Sequence, residues 1–165
     1  MPDPLRVQFI HGLEGSPNGA KARLFAQHFT ASTPAMNTKD FLSCVAVHEA
    51  EIPTFRPHVL IGSSFGGAVA VELLHRGAWA GPTLLLAQAA FRLGTRTTLP
   101  QGRVIWIVHG TNDEVVDVED SRTLARTGTP GLVRLIEVED DHSLHDMVAD
   151  GRLLELVRDI ARANP

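Results

Sequence analysis

The sequence contains one cysteine, Cys44, among its 165 residues. A single cysteine excludes an intramolecular disulfide, and a lone thiol is typical of a reducing compartment, so we expect a cytoplasmic protein. No stretch approaches the roughly 20 apolar residues that a membrane span requires, and residues 1–4 lack the basic and apolar segments of a secretory leader. Neither secretion nor a membrane partner is therefore expected.

An excess of positive charge is also missing. The formal net charge is -4 at pH 7 and the isoelectric point is near 6.0, so charge gives no reason to expect nucleic acid as a partner. The dinucleotide motif G-x-G-x-x-G does not occur, and no lysine follows the glycines as it does in a phosphate-binding loop. We expect a small-molecule partner and no cofactor, and the sequence does not indicate an oligomeric state.

Apolar residues are abundant, at 44% of the chain, which is enough to fill one substantial core. No linker or repeat divides the sequence, so residues 1–165 are predicted to form one domain. Short aliphatic runs that end close to glycine or polar residues are typical of buried strands. The predicted strands are Leu5 to Ile10, Thr33 to Asn37, His58 to Ile61, Thr83 to Ala87, Arg103 to Val108 and Leu132 to Val138.

Helical patterns separate these strands. They cover Ala20 to Phe29, Asp40 to Ile52, Phe65 to Arg76, Asp117 to Arg126 and Ser143 to Ala163, and the last of them is open to interruption at Asp150-Gly151. Alternating strands and helices predict an α/β fold with a mostly parallel sheet of five or six strands and helices on both faces. Ligands of such sheets bind at the carboxyl ends of the strands.

One of these strand ends carries a G-x-S-x-G motif, Gly62-Ser63-Ser64-Phe65-Gly66. It lies between a predicted strand and a predicted helix, as a nucleophile elbow does, and the strained turn requires small residues two positions before and after the serine. Centring the motif on Ser63 would place bulky side chains at both of these positions. We therefore predict Ser64 as the nucleophile, with the Phe65 N–H as one oxyanion donor.

Two more strand ends carry matching residues. His11-Gly12-Leu13 follows the first strand, where a second oxyanion donor is expected, so Gly12 and the Leu13 N–H are candidates, although a merely flexible loop is compatible with this pattern. Asp113 follows the strand that ends at Val108 and is predicted to orient the catalytic base, with a simple turn residue as the alternative. Asp117 is predicted to be the N-cap of the helix that follows it.

The base is predicted to be His142, which follows the last strand and completes the order Ser64, Asp113, His142. His145 is the competing candidate because it lies about one helical turn further on. A metal site built from His142, His145 and Asp146 is a weaker alternative, since this spacing is not a strong zinc pattern, and no metal is predicted.

Four motifs together resemble the small YqiA-like esterases of the α/β-hydrolase superfamily. They are residues 11–17, Gly62-Ser63-Ser64-Phe65-Gly66-Gly67, residues 109–116 and Asp141-His142-Ser143. The resemblance spans nearly the whole chain and implies a single-domain α/β-hydrolase fold without a large cap, with carboxylesterase activity assigned to Ser64, Asp113 and His142.

These observations predict a serine hydrolase that cleaves small acyl esters or thioesters. The gap in which larger relatives insert a cap is short here, so we expect an open site. Phe91 is a candidate for an apolar acyl pocket, together with Leu13, Phe65 and Leu93. The alternative is a binding or signalling protein that keeps a hydrolase-like site with little turnover, because a fold and a motif do not guarantee chemistry.

Overall fold

A computed structural model describes residues 3–13 and 15–163, so Glu14 of the first motif lies outside the described residues. The described strands form one six-stranded sheet in which every neighbouring pair is parallel, in the order β2-β1-β3-β4-β5-β6. The strands are β1 (Asp3–Ile10), β2 (Phe29–Ser32), β3 (Val59–Ser63), β4 (Thr83–Leu86), β5 (Ile105–Gly110) and β6 (Val133–Val138). The predicted parallel sheet is confirmed.

Helices connect the strands. They are α1 (Ala20–His28), α2 (Phe41–Phe55), α3 (Phe65–His75), α4 (Ala90–Leu93), α5 (Val118–Ala125), α6 (His145–Asp150) and α7 (Arg152–Ala161). Asp117 caps α5 as predicted, because its side chain accepts a hydrogen bond from the Glu119 N–H at 2.9 Å. Gly151 separates α6 from α7 with φ at 84°, so the predicted interruption is also present.

The sheet buries both of its faces. On one face, strand residues such as Val7, Phe9 and Val108 pack against α1, α6 and α7. On the other face, residues such as Leu60 and Ile107 pack against α2, α3 and α5. Helices therefore cover both faces, which explains why the central strands read as continuous apolar runs.

The predicted position of the second strand is wrong. It was expected at Thr33 to Asn37, whereas β2 begins at Phe29, directly after α1. Phe29 is buried and its ring lies 6.5 Å from that of Phe25, so one aromatic cluster holds the end of the helix and the start of the strand. Pro34, inside the expected segment, lacks the N–H that a strand donates to its neighbour.

The strand order creates a crevice between β1 and β3. The chain leaves the carboxyl end of β1 towards α1 on one face and leaves β3 towards α3 on the other. Loops that diverge at such a switch point leave space for a ligand between them.

None of the helices in the described part of the chain has the length and apolar character of a membrane span.

A buried histidine makes the stability of the fold sensitive to acid. His48 lies in α2, and its Nδ1 is 2.9 Å from Gln8 Nε2. Burial, and then the nearby His11, lower the pKa of His48 from 6.5 to about 4. The folded protein therefore binds this proton less readily than the unfolded chain, and the stability contributed by neutral His48 is lost as the pH falls from 6.5 towards 4.

We expect the unfolding free energy of the wild type to fall by about 2 kcal/mol more than that of His48→Gln between pH 7 and pH 5, as linkage with this pKa requires. Urea denaturation of both proteins at the two pH values measures the difference. Equal losses in the two proteins would show that His48 does not set the acid sensitivity.

Candidate active site

Ser64 lies at the turn between β3 and α3 and has the strained backbone angles φ 54° and ψ -114°. An L-residue adopts such angles only where the surroundings enforce them. A Cβ atom on Gly62 would overlap the carbonyl oxygen of Gly66, and one on Gly66 would overlap that of Ile10. The glycines are therefore required by close backbone contacts, as the motif predicted.

Backbone hydrogen bonds fix this turn against the neighbouring strand. The Ser64 N–H donates to the Leu86 carbonyl at 2.8 Å, and the Ala89 N–H donates to the Ser64 carbonyl at 3.0 Å. Both partners belong to β4 or to the loop that follows it. The serine is thus held in its strained conformation from two sides.

His142 joins Ser64 to Asp113. Its Nε2 lies 3.1 Å from Ser64 Oγ, and its Nδ1 lies 2.7 Å from Asp113 Oδ2. Because the carboxylate accepts, Nδ1 carries the proton and Nε2 is free to accept the serine proton. The three residues, which follow β3, β5 and β6, form one hydrogen-bonded chain at the carboxyl edge of the sheet.

His145 is not part of this hydrogen-bonded chain. Its side chain is 75% exposed, and its Nδ1 is hydrogen-bonded to the carboxylate of Asp141, one helical turn earlier. Among the residues that the structure describes, its side chain is hydrogen-bonded to neither Ser64 nor Asp113. Among residues 3–13 and 15–163, no group of three or more histidine, cysteine, aspartate or glutamate side chains has the arrangement of a metal site.

Asp113 is buried and receives several donors. Its Oδ1 accepts hydrogen bonds from the Val115 and Val116 N–H groups, both at 2.8 Å. Its Oδ2 contacts His142 and lies 3.2 Å from Nε2 of His109, a fully buried residue of β5. The sequence motifs do not single out His109, and its four-residue spacing to Asp113 at the same strand end is the signal that could have indicated it.

The loop after β1 runs alongside the serine. A Cβ atom on Gly12 would lie 3.5 Å from that of Ser64, which shows how closely the two backbones approach. Phe65 is the first residue of α3, where an N–H has no acceptor within its helix. The Leu13 N–H donates to no other described residue. Neither of these two N–H groups is therefore bound to another described residue, and their role as oxyanion donors stays a prediction.

A cleft of about 520 Å³ opens over Ser64 and His142. Leu13 and Val115 contribute exposed apolar side chains to its walls, with 55% and 49% of their surface accessible. Phe65, by contrast, is buried in the core on the α3 face, Phe91 packs partly buried against that core, and neither lines the cleft. Of the side chains expected to form an apolar pocket, the structure brings only Leu13 to the cleft.

Lys21 holds the loop that carries His142. It lies in the first turn of α1, and its Nζ donates to the Ser143 carbonyl at 2.7 Å. Burial lowers the pKa of Lys21, while the nearby carboxylates of Asp141 and Asp140 raise it. This bond ties the residue after His142 to the side of the cleft formed by α1.

The sequence matches no protein-family profile, and no curated protein matches it. Its fold is nevertheless similar to that of solved structures. A serine hydrolase without a lid, XC6422 from Xanthomonas campestris, is 19% identical with a TM-score of 0.69, and the match covers 99% of this chain and 86% of that one.

Two further structures have the same architecture. An α/β serine hydrolase homologue from Coxiella burnetii is 18% identical over 98% of this chain and 86% of its own, with a TM-score of 0.72. The esterase domain of a Rhodothermus marinus protein is 15% identical over 92% and 84%, with a TM-score of 0.67. This chain therefore has the α/β-hydrolase fold.

Proposed function

We propose that the protein is a serine hydrolase that cleaves small acyl esters or thioesters through Ser64, His142 and Asp113. The observation that carries this proposal is the continuous chain of short contacts from Ser64 Oγ through the imidazole to the buried carboxylate. The relatives in fold that are described as a serine hydrolase and as an esterase domain support it. Membership of the YqiA-like group and a cytoplasmic location remain part of the proposal.

The reaction begins when His142 Nε2 takes the proton of Ser64 and Oγ attacks the acyl carbonyl carbon. The N–H groups of Leu13 and Phe65 stabilise the negative oxygen that forms, and a single donor of this kind contributes about 3 kcal/mol in well-studied hydrolases. His142 then gives its proton to the departing alcohol or thiol, which leaves an acyl group on Ser64.

Water completes the cycle. His142 removes a proton from a water molecule in the cleft, the resulting hydroxide attacks the acyl carbon, and Ser64 Oγ leaves with the proton returned by His142. Asp113 stays ionised and keeps Nδ1 protonated throughout, so that Nε2 always faces the serine. The acid product is released into an open cleft.

A fluorophosphonate probe tests the proposal, because it reacts with activated serines. We expect intact mass spectrometry to show one adduct, peptide mapping to locate it on Ser64, and p-nitrophenyl acetate to be hydrolysed. The absence of both labelling and turnover would contradict the proposal and favour a binding or signalling protein.

The apolar walls of the cleft predict a preference among acyl chains. Val115→Ser is expected to lower kcat/KM for p-nitrophenyl butyrate about threefold to tenfold relative to the acetate ester, since each buried methylene contributes about 0.8 kcal/mol. Leu42→Ser is the matched control, because Leu42 is 63% exposed on α2 and does not line the cleft. An unchanged butyrate-to-acetate ratio in Val115→Ser would place the acyl chain elsewhere.

A further inference from the structure

A second histidine, His109, lies next to Asp113 in the interior of the protein. His109 is fully buried near the end of β5, its Nε2 lies 2.8 Å from the Val116 carbonyl oxygen, and its Nδ1 lies 2.6 Å from Ser121 Oγ. A carbonyl oxygen only accepts, so Nε2 carries the ring proton. Nδ1 of the neutral ring then accepts the hydroxyl proton of Ser121.

The contacts continue away from the cleft. Gln88 Nε2 donates to Ser121 Oγ at 3.0 Å, and Gln88 Oε1 accepts from the Ala90 N–H at 2.9 Å. Gln88, Ser121 and His109 are all fully buried, and each side-chain nitrogen and oxygen of the three has at least one hydrogen-bond partner. A buried polar network that is fully satisfied is rigid, whereas one that loses a member leaves unpaired groups.

This network reaches Asp113 by two routes. His109 binds the carbonyl of Val116, and the N–H of the same Val116 residue donates to Asp113 Oδ1 at 2.8 Å. His109 Nε2 also lies 3.2 Å from Oδ2 of Asp113, which is the same oxygen that His142 contacts. The position of His109 therefore constrains both oxygens of the carboxylate.

The other end of the network lies beside the serine. The residue after Gln88, Ala89, donates its N–H to the Ser64 carbonyl. The loop after β4 thus holds Ser64 directly, through Ala89, and holds Asp113 indirectly, through the contacts of Gln88 with Ser121 and of Ser121 with His109. One buried network supports two of the three groups that have to be aligned.

We propose that His109 is a positioning residue for the hydrolytic reaction, which sets the geometry of Asp113 and through it the orientation of His142. The inference rests on the proposed function. His109 transfers no proton in this role, because its two ring nitrogens are both engaged within the protein and no surface of the ring reaches the cleft.

The test uses His109→Leu, which removes the polar contacts, and His109→Gln, whose side-chain amide can still donate to the Val116 carbonyl. Rates are measured with p-nitrophenyl acetate and divided by the concentration of sites titrated with fluorophosphonate. We expect His109→Leu to lower kcat per active site about 10- to 100-fold with little change in KM, since misplacement of a catalytic group slows the reaction without altering substrate contacts. His109→Gln should restore most of this loss.

His48→Leu is the matched control, because it replaces another fully buried histidine, in α2, that does not contact Asp113. It should lower stability while kcat per site stays near that of the wild type. A purely structural His109 would reduce the number of titrated sites and leave kcat per site unchanged in His109→Leu, which would overturn the inference. An inactive and unlabelled wild type would instead refute the proposed function.

Discussion

Ser64→Ala is expected to lower kcat for p-nitrophenyl acetate by about 10³- to 10⁶-fold and to abolish labelling by fluorophosphonate. The variant keeps the cleft and the backbone donors, but it has no Oγ to form the acyl-enzyme. The residual rate should come only from attack by water. Initial rates and intact mass after labelling measure the two effects, and thermal denaturation shows whether the fold is kept.

Ser63→Ala is the matched control, since it removes the same hydroxyl group from the neighbouring residue. Ser63 is the last residue of β3, and its backbone does not have the strained angles of Ser64. We expect Ser63→Ala to keep its rate within about tenfold of the wild type and to remain labelled, because it loses no group from the reaction. A larger loss in Ser63→Ala than in Ser64→Ala would move the nucleophile to Ser63.

His142→Ala is expected to have the second largest effect, a loss of about 10³- to 10⁶-fold in kcat, with a corresponding loss in the rate of fluorophosphonate labelling. The imidazole Nε2 lies 3.1 Å from Ser64 Oγ, and the variant lacks this acceptor for the serine proton. Asp113 cannot substitute for it, because its carboxylate is held by the Val115 and Val116 N–H groups on the far side of the imidazole. Steady-state rates at several pH values measure the loss.

His145→Ala separates the two histidines that the sequence left in competition. The exposed ring of His145 lines the cleft but is hydrogen-bonded to Asp141 and not to Ser64 or Asp113, so its removal should change kcat by less than about threefold. Equal losses in His142→Ala and His145→Ala would mean that the loop rearranges during the reaction. A loss confined to His145→Ala would contradict the proposed base.

The position of Ser64 could be predicted from sequence because steric requirements are local. Gly62 and Gly66 lie within two residues of the serine, and the backbones that exclude a Cβ atom there belong to the same turn and to the adjacent β1. The parallel sheet was predictable for a similar reason, since a strand buried on both faces has few polar residues. Features that depend on neighbouring residues in this way can be predicted from the sequence.

The proposed base was harder to choose from the sequence. His142 and His145 are three residues apart, so both follow β6, and their distance from the strand end was the only sequence criterion. The structure separates them because Leu144 has a left-handed backbone, with φ at 55°, immediately before α6 begins. A conformation at one residue between two candidates is not encoded in strand and helix periodicity.

The acyl pocket and the second strand were predicted less well, and both errors come from aromatic side chains. Phe91 is apolar and follows a strand end, yet it lies in α4 and packs, partly buried, against the core on the α3 face. Phe29 fits the helical pattern of α1 but begins β2. Whether an apolar residue lines a cleft or a core depends on long-range packing, which the sequence pattern does not contain.

His109 does not occupy the position expected for the base, so the sequence gives no reason to select it, although it lies at the end of β5 close to Asp113. Its connection with Asp113 depends on the turn that brings the Val116 carbonyl back over the ring. That turn is fixed by Asp113 itself, which accepts the N–H groups of the same segment. Such a closed arrangement follows from the three-dimensional positions of its members and not from their order in the sequence.

The bond between Lys21 and the Ser143 carbonyl joins residues 122 positions apart in the chain. It means that the proposed site draws on an early helix and on a late loop. During synthesis on the ribosome, the segment with Ser64 is synthesised before the proposed base, His142. A nascent chain that ends ahead of His142 therefore has no imidazole that could accept the proton of Ser64. In the proposed mechanism such a chain has no base to activate Ser64. In a refolding experiment we therefore expect hydrolysis of p-nitrophenyl acetate to appear with the last long-range closure and not with the first collapse.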